Sequence, residues 1–301
     1  MIKSLNEILE KVKELPKNTI AVAQAADHDI LAVAERAISS NLADFIFIGN
    51  PTSIRNLITE GNYNLKDVPI VESYDDKSCA QMAVELVTSG KADMPMKGLL
   101  STATFMRAVL DKQVGLRTDS QISQITLTDN IDNTGLYFIT DCAMNVAPDI
   151  NEKISIVNNA VFAARKFGYE CPNVALITAI ETVNPNMQET IDAAVISKMN
   201  DRGQIKNCKI DGPFALDNAI SKTSAEHKGV SGPVAGNADI LVVSDIKMGN
   251  VLHKAITYIA KKRVGSVIIG TKKPLVMTSR SDSIEDKLIS IAASSYLNNQ
   301  N

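Results

Sequence analysis

The sequence predicts an α/β fold assembled from βαβ units, and three observations carry that prediction. Short apolar runs of strand length alternate with helical patterns along nearly the whole chain. The apolar residues are aliphatic rather than aromatic, and no linker, low-complexity segment or internal repeat interrupts the order. Hydrophobic residues make up 45% of the 301 but aromatics only 4%, with no tryptophan, so aliphatic side chains and methionine must fill an interior suited to helices on sheets. The length exceeds the roughly 100–200 residues of one domain, which asks for two domains or one large core with an insertion.

Ile2, Leu5, Ile8, Leu9, Val12 and Leu15 recur at helical spacing until Pro16, and residues 19–23 then read as a buried strand. Asp27 is placed to cap a helix through Ile38, residues 44–48 form the next strand, and Gly49-Asn50-Pro51 breaks it before a helix near 54–58. A helix over 79–88 ends at Gly90. A short strand within 92–98 then meets a glycine-containing loop and a helix over 101–110. Strands over 122–127 and 136–140 flank an Asp/Asn/Gly-rich stretch that favours a hairpin turn. Helix 154–166, strand 174–178, helix 188–199 and strand 239–243 resume the alternation as a second α/β unit. Strand 266–270, an extended piece at 274–277 and a helix over 284–297 close the chain.

The net charge of −3 supplies no basic field for phosphodiester backbones and argues against a nucleic-acid partner. Cys79, Cys142, Cys171 and Cys208 show no CxxC spacing, so they read as reduced thiols packed as small apolar groups, and neither zinc nor a disulfide framework is suggested. The N-terminal stretch carries charges every few residues, unlike a signal peptide, and no run nears the roughly 18 apolar residues that cross a bilayer. A soluble, cytoplasmic protein is expected, with no membrane partner. No GxGxxG after a strand, GxxxxGK[ST], GxSxG or HExxH occurs. His227 reads as a polar turn residue, and His28 and His253 lie in helical surroundings.

Four segments bring together residues that can do chemistry. In Thr278-Ser279-Arg280-Ser281-Asp282-Ser283, a hydroxyl, a guanidinium and a carboxylate precede a helix. Ser283 and Asp286 have capping-box spacing, which leaves Ser279 and Arg280 unexplained. Arginine suits phosphate oxygens and serine can donate to charge growing on a carbonyl, although on the residues alone a plain surface Ser-Arg pair is the simpler reading. Lys97, with Ser101 and Thr102 at a helix start, makes a candidate anion site or an ordinary cap. Asp211-Gly212-Pro213 reads as a tight turn, with Asp217 free to orient a ligand or cap a helix. Residues 236–250 form a strand ending in a polar loop, including Asn250, that opens a helix where open α/β sheets bind ligands.

Taken together these segments resemble the phosphate acetyl/butyryltransferase family, its butyryl branch in particular. The matching stretches are 91–98, 102–117, 140–148, 190–204, 211–221, 234–250 and 270–283. The resemblance implies two three-layer α/β domains with a cleft between them, isocitrate/isopropylmalate dehydrogenase-like, divided here as 1–128 plus 270–301 and 129–269. It also implies a homodimer or larger homo-oligomer. The implied activity is phosphate acyltransfer, interconverting a short-chain acyl-CoA plus phosphate and an acyl phosphate plus coenzyme A. In the family the coenzyme A thiolate attacks the acyl phosphate within a ternary complex, with coenzyme A as substrate and no tightly bound cofactor or metal.

The resemblance assigns Ser279 and Arg280 to the developing oxyanion and the phosphate, and Arg117 to coenzyme A. Asp286, seven residues after the serine as in the acetyl branch, leads as base, with Asp282 and Asp141 as rivals. Lys97, Thr102, Asp141, Asn145, Asp211, Asp217 and Asn250 complete the expected substrate-binding set. An ordinary thiol has a pKa of roughly 8.5, so modest help from a carboxylate would suffice. Pro95, Gln124 and Lys247 depart from the usual butyryl pattern, which bears on acyl specificity, and Ala143, Met144 and Met248 are candidates for the acyl pocket. Three alternatives stay open: a phosphate acetyltransferase, a metal- and NAD-dependent dehydrogenase of related architecture, and a non-catalytic binding module.

Overall fold

The computed structural model describes residues 1–300, which divide into two compact units. An N/C unit comprises Asn6–Asp119 and the chain from Gly265 onward, and a middle unit comprises Ser120–Val264 with Met1–Leu5.

The first stretch runs α1 (Leu5–Lys13), β1 (Asn18–Ala23), α2 (His28–Ser39), β2 (Ala43–Gly49), α3 (Pro51–Glu60), β3 (Ile70–Glu72), α4 (Asp76–Thr88), β4 (Met94–Lys97) and α5 (Thr102–Val109). All four strands are parallel, in the order β3-β2-β1-β4. Ile20 to Ala23 are wholly buried, as expected where helices cover a parallel sheet. Most helix starts follow from capping chemistry: Asp27 accepts from the Ile30 amide, Asn50 from Thr52 and Ser53 with Pro51 behind it, Asp75 from Ser78, and Ser101 from Thr104. Strand β3 was not foreseen. It is three residues long and only partly buried, so it leaves little alternation to read.

The middle stretch runs β5 (Ser123–Asp129), β6 (Leu136–Thr140), α6 (Ile150–Lys166), β7 (Asn173–Ile177), α7 (Gln188–Asp201), β8 (Lys209–Phe214), α8 (Leu216–Ile220), α9 (Lys222–His227), β9 (Ile240–Val242), α10 (Ile246–Lys254) and a π-helical turn, Ala255–Ile259. β5 and β6 form the expected antiparallel hairpin. β6, β9, β7 and β8 then lie side by side in parallel. Two expectations need correction here. Helix α6 begins at Ile150 rather than 154, because Asp149 and Glu152 close a full capping box ahead of the apolar run. Asp211-Gly212-Pro213 is not a turn but lies within β8, beside an irregularity in the pairing with β7. Gly212 is required there because a side chain would approach Leu176 Cβ to 2.8 Å.

The chain then returns to the N/C unit through β10 (Gly265–Ile269) and α11 (Ile284–Asn299). Between them, Val276 pairs in parallel with Met96 on β4: Lys97 N–H donates to Val276 O at 3.0 Å and Val276 N–H to Pro95 O at 3.1 Å. Helix α11 packs on α2 and β10 and is buried nearly all round, and the Asn298 side-chain amide donates to Asn18 Oδ1 of β1 at 2.6 Å. Cys79, Cys142 and Cys208 are buried thiols as expected, whereas Cys171 is exposed. No helix among the described residues is long and apolar enough to cross a membrane.

Candidate active site

The pairing of Val276 with β4 positions the site. Strands β1, β4 and the 276 segment all run the same way, so the loops that follow them emerge at one edge of the sheet. From β1 comes Asp27, from β4 come Lys97 and Gly98, and from the third segment come Thr278, Ser279 and Arg280. This is the edge at which open parallel sheets bind ligands. Together with Asp29 and Ile30 of α2, Leu99, and Lys287 of α11, these residues line a cavity of about 130 Å³ inside the N/C unit.

Three cations face this cavity and two carboxylates accompany them. Lys97 is half-buried and donates to Gly98 O at 3.2 Å and Leu100 O at 3.3 Å. Burial lowers its pKa below the ordinary lysine value, and the neighbouring Arg280 charge lowers it further. Arg280 is exposed and makes no hydrogen bond or ion pair among the described residues. Lys287 is 3% exposed and meets Asp29 at 3.2 Å, while Asp29 itself stands largely in solvent. Asp27 is committed to the α2 cap.

The Ser279 loop is held from within. Asp282 accepts the Ser279 amide at 2.7 Å, and the Ser279 and Ser281 hydroxyls lie 3.0 Å apart. Asp286 accepts the Ser283 hydroxyl at 2.7 Å while Ser283 caps α11 through the Asp286 amide at 3.1 Å. Neither Asp282 nor Asp286 lines the cavity; the carboxylates that do are Asp27 and Asp29. Thr102 is exposed in the first turn of α5, and Arg117 is exposed beside its bridge to Thr271, both outside the lining.

In the middle unit the structure brings Asp141 and Asn145 together. The Asp141 carboxylate accepts the amides of Gln124, Ala143, Met144 and Asn145 and the Asn145 side chain, at 2.6–3.1 Å, and is 3% exposed. Both oxygens are therefore spent on shaping the 141–145 loop. Asn145 adds a bond to Ile122 O at 2.8 Å and one to Gln121. Of the candidate acyl-pocket residues, Ala143 is exposed, Met144 is half-buried, and Met248 packs against the unit's core.

Asp217 pairs with Lys228 at 3.1 Å, and that hydrogen bond holds its carboxyl below the usual range. Burial instead raises Asp211, which accepts the Gly212 amide. Asn250 is exposed on α10. His227 closes α9, and His253 is buried against Thr126, with Nδ1 and Oγ1 at 3.1 Å. Among the described residues no three His, Cys, Asp or Glu side chains converge to hold a metal.

The sequence reading missed Lys287 and Asp29 and saw Asp27 only as a cap. Their signal was slight: Lys287 is a lone cation in a helix otherwise running Leu288-Ile289-Ser290-Ile291-Ala292-Ala293, four residues after the capping Ser283.

The family model described as phosphate acetyl/butaryl transferase matches residues 4–85 and 76–294. Phosphate butyryltransferase of Clostridium beijerinckii is 47% identical over 292 residues, 97% of this chain and 97% of that protein. Phosphate acetyltransferase of Thermotoga maritima is 39% identical over 289 residues, 95% of this chain and 98% of that protein. Among solved structures, a branched-chain phosphotransacylase from Enterococcus faecalis V583 superposes with a TM-score of 0.82 at 32% identity, covering 93% of this chain and 99% of that one.

Proposed function

We propose, from the premise that this chain belongs to the phosphate acetyl/butaryl transferase family, that it interconverts a short-chain acyl-CoA plus phosphate and an acyl phosphate plus coenzyme A. The observation that carries the reading is the convergence of Lys97, Ser279 and Arg280 on one small cavity at the edge of a parallel sheet. Three cations beside a serine hydroxyl suit a phosphate group, and the volume is that of a small polyatomic anion with a few waters.

In this reading a phosphate oxygen, held by Arg280 and Lys97, attacks the thioester carbonyl. The electron pair moves onto the carbonyl oxygen, where the Ser279 hydroxyl donates to the growing charge. Collapse of that intermediate breaks the carbon–sulfur bond and releases the coenzyme A thiolate, which takes up a proton. In reverse the thiolate attacks the acyl phosphate and phosphate leaves. Asp286 is our candidate for the group that exchanges the thiol proton, with Asp282 and Asp141 behind it. Asp141 is the weakest of the three because five donors already occupy its oxygens. Arg117, Thr102, Asp211, Asp217, Asn145 and Asn250 are candidate contacts for the remaining substrate.

The butyryl preference is supported by identities of 47% to a butyryl and 39% to an acetyl enzyme. The isocitrate/isopropylmalate dehydrogenase-like architecture belongs to the same reading, supported by two units built on parallel strands with interleaved helices. Thiol release from acetyl-, propionyl-, butyryl- and branched acyl-CoA, with and without phosphate, tests the proposal. Phosphate-dependent release that is fastest with butyryl-CoA is expected. No phosphate-dependent release from any of them overturns it.

A further inference from the structure

We infer that Lys287 is a phosphate ligand of this cavity, and that Asp29 is the counter-ion which the incoming phosphate displaces; the inference rests on the acyltransfer reading and adds a residue pair to it. A lysine is rarely buried without a close partner, because its ammonium loses hydration that the interior does not replace. Lys287 is 3% exposed, yet its one ion pair is with a carboxylate whose side chain is 63% exposed. An exposed carboxylate is solvated by water and offsets the burial of its partner only weakly.

The surroundings do not explain the charge either. Helix α11 is otherwise packed with Leu288, Ile289, Ile291, Ala292 and Ala293, which gain nothing from a cation. Lys287 instead lines the same cavity as Lys97 and Arg280, and its ammonium bonds to Asp29, which lines that cavity too. Lys97 has already turned to two backbone carbonyls, Gly98 O and Leu100 O. Lys287 thus faces the cavity with a single removable partner, from a helix that Ser283 caps and that packs on α2 and β10.

The consequence is a competition. With the cavity empty of anion, Asp29 neutralises Lys287. A phosphate entering between Lys287 and Arg280 offers three charged oxygens in place of one exposed carboxylate, and Asp29 swings into water. Removing the lysine and removing the aspartate must therefore shift phosphate affinity in opposite directions, which no purely structural role of the pair produces.

The experiment measures phosphate KM and acyl-CoA KM in the thiol-release assay, with inorganic phosphate binding followed separately by titration calorimetry. Lys287→Met is expected to raise phosphate KM and Kd at least about tenfold, an effect of about 1.4 kcal/mol, while acyl-CoA KM stays within about twofold. Lys287→Arg should recover most of the loss. Asp29→Asn should lower phosphate KM by roughly two- to fivefold, since a competing charge is gone.

Phosphate parameters within about twofold of wild type in Lys287→Met overturn the inference, and so does an equal rise in both substrates' KM. A rise confined to acyl-CoA assigns the lysine to a coenzyme A phosphate and overturns it too. If methionine at this position prevents folding, Asp29→Asn decides, and an unchanged or higher phosphate KM is refutation. A wild-type chain that binds phosphate without turning over would fail the acyltransfer reading alone. Calorimetry of Lys287→Met would then still test this one, with loss of binding supporting it and retained binding refuting it.

Discussion

Replacing Gly98 by alanine should damage both stability and phosphate binding. A Cβ on Gly98 would lie 2.2 Å from Gln24 O, 2.6 Å from Ala23 O and 2.9 Å from Gln24 C. Ordinary carbon–heavy-atom contact begins near about 3.5 Å, so the ends of β1 and β4 would have to part by roughly 1 Å. All three obstructing atoms are backbone, which cannot swing aside like a side-chain tip.

The same ends are joined by two hydrogen bonds, Gly98 N–H to Ala23 O at 2.9 Å and Leu99 N–H to Gln24 O at 2.8 Å. Losing or stretching both removes about 1–3 kcal/mol. Overpacking of this kind adds a further 1–3 kcal/mol or so, for a total near 2–5 kcal/mol. Urea unfolding should show the midpoint falling at constant slope, by that free energy divided by the slope. Because Lys97 precedes the glycine and Leu99 follows it, phosphate KM should rise as well. A Gly98→Ala protein within about 0.5 kcal/mol of wild type, with unchanged phosphate KM, would refute the argument that the strand ends fix the cavity.

Ser279→Ala should lower kcat by roughly 10²–10³ while changing phosphate KM little, because the hydroxyl acts on charge that grows during reaction; steady-state thiol release checks it. Asp286→Asn should lower kcat most at neutral pH and less at alkaline pH, where the free thiol ionises unaided; a pH–rate profile of the variant against wild type checks that.

The Cys142 thiol is pushed up from 9.0 to about 12, by burial above all. Its folded pKa is the higher one, so stability is fully present below pH 9 and falls between pH 9 and about 12 as the unfolded chain loses the proton first. At pH 11 this one group costs about 2–3 kcal/mol. Cys142→Ala should therefore lose less stability than wild type between pH 9 and 11 in urea titrations.

Most elements were legible because their signals are local. Asp27, Asn50-Pro51 and Ser101 announce helix starts through side chains that reach amides two or three residues on. The failures were positions where a distant segment decides. Asp211-Gly212-Pro213 has the composition of a turn, but β7 approaches so closely that only an extended glycine fits. Within the candidate site, Ser279, Arg280 and Lys97 stood out as polar groups in loops. Lys287 did not, because which side of an almost wholly buried helix borders a cavity depends on α2 and β4, not on its own neighbours in sequence. Asp286 shows the converse. Its spacing from Ser283 marked it as a cap and the family resemblance implied a base, and the structure gives its carboxylate to the Ser283 hydroxyl.

The N/C unit is written in two instalments, and that has a consequence for how the chain is made. Asp27, Asp29 and Lys97 are synthesised before the middle unit, but the segment that lines the free edge of β4 and the helix that carries Lys287 are synthesised after it. Until then the nascent chain carries a parallel sheet with a bare edge while the residues of the middle unit are completed. A frameshift or premature stop ahead of Val276 would thus leave a product without the cavity and with that edge open, a natural client for chaperones and proteases. The fold thereby couples the presence of the anion site to translation through the whole middle unit and on past Lys287.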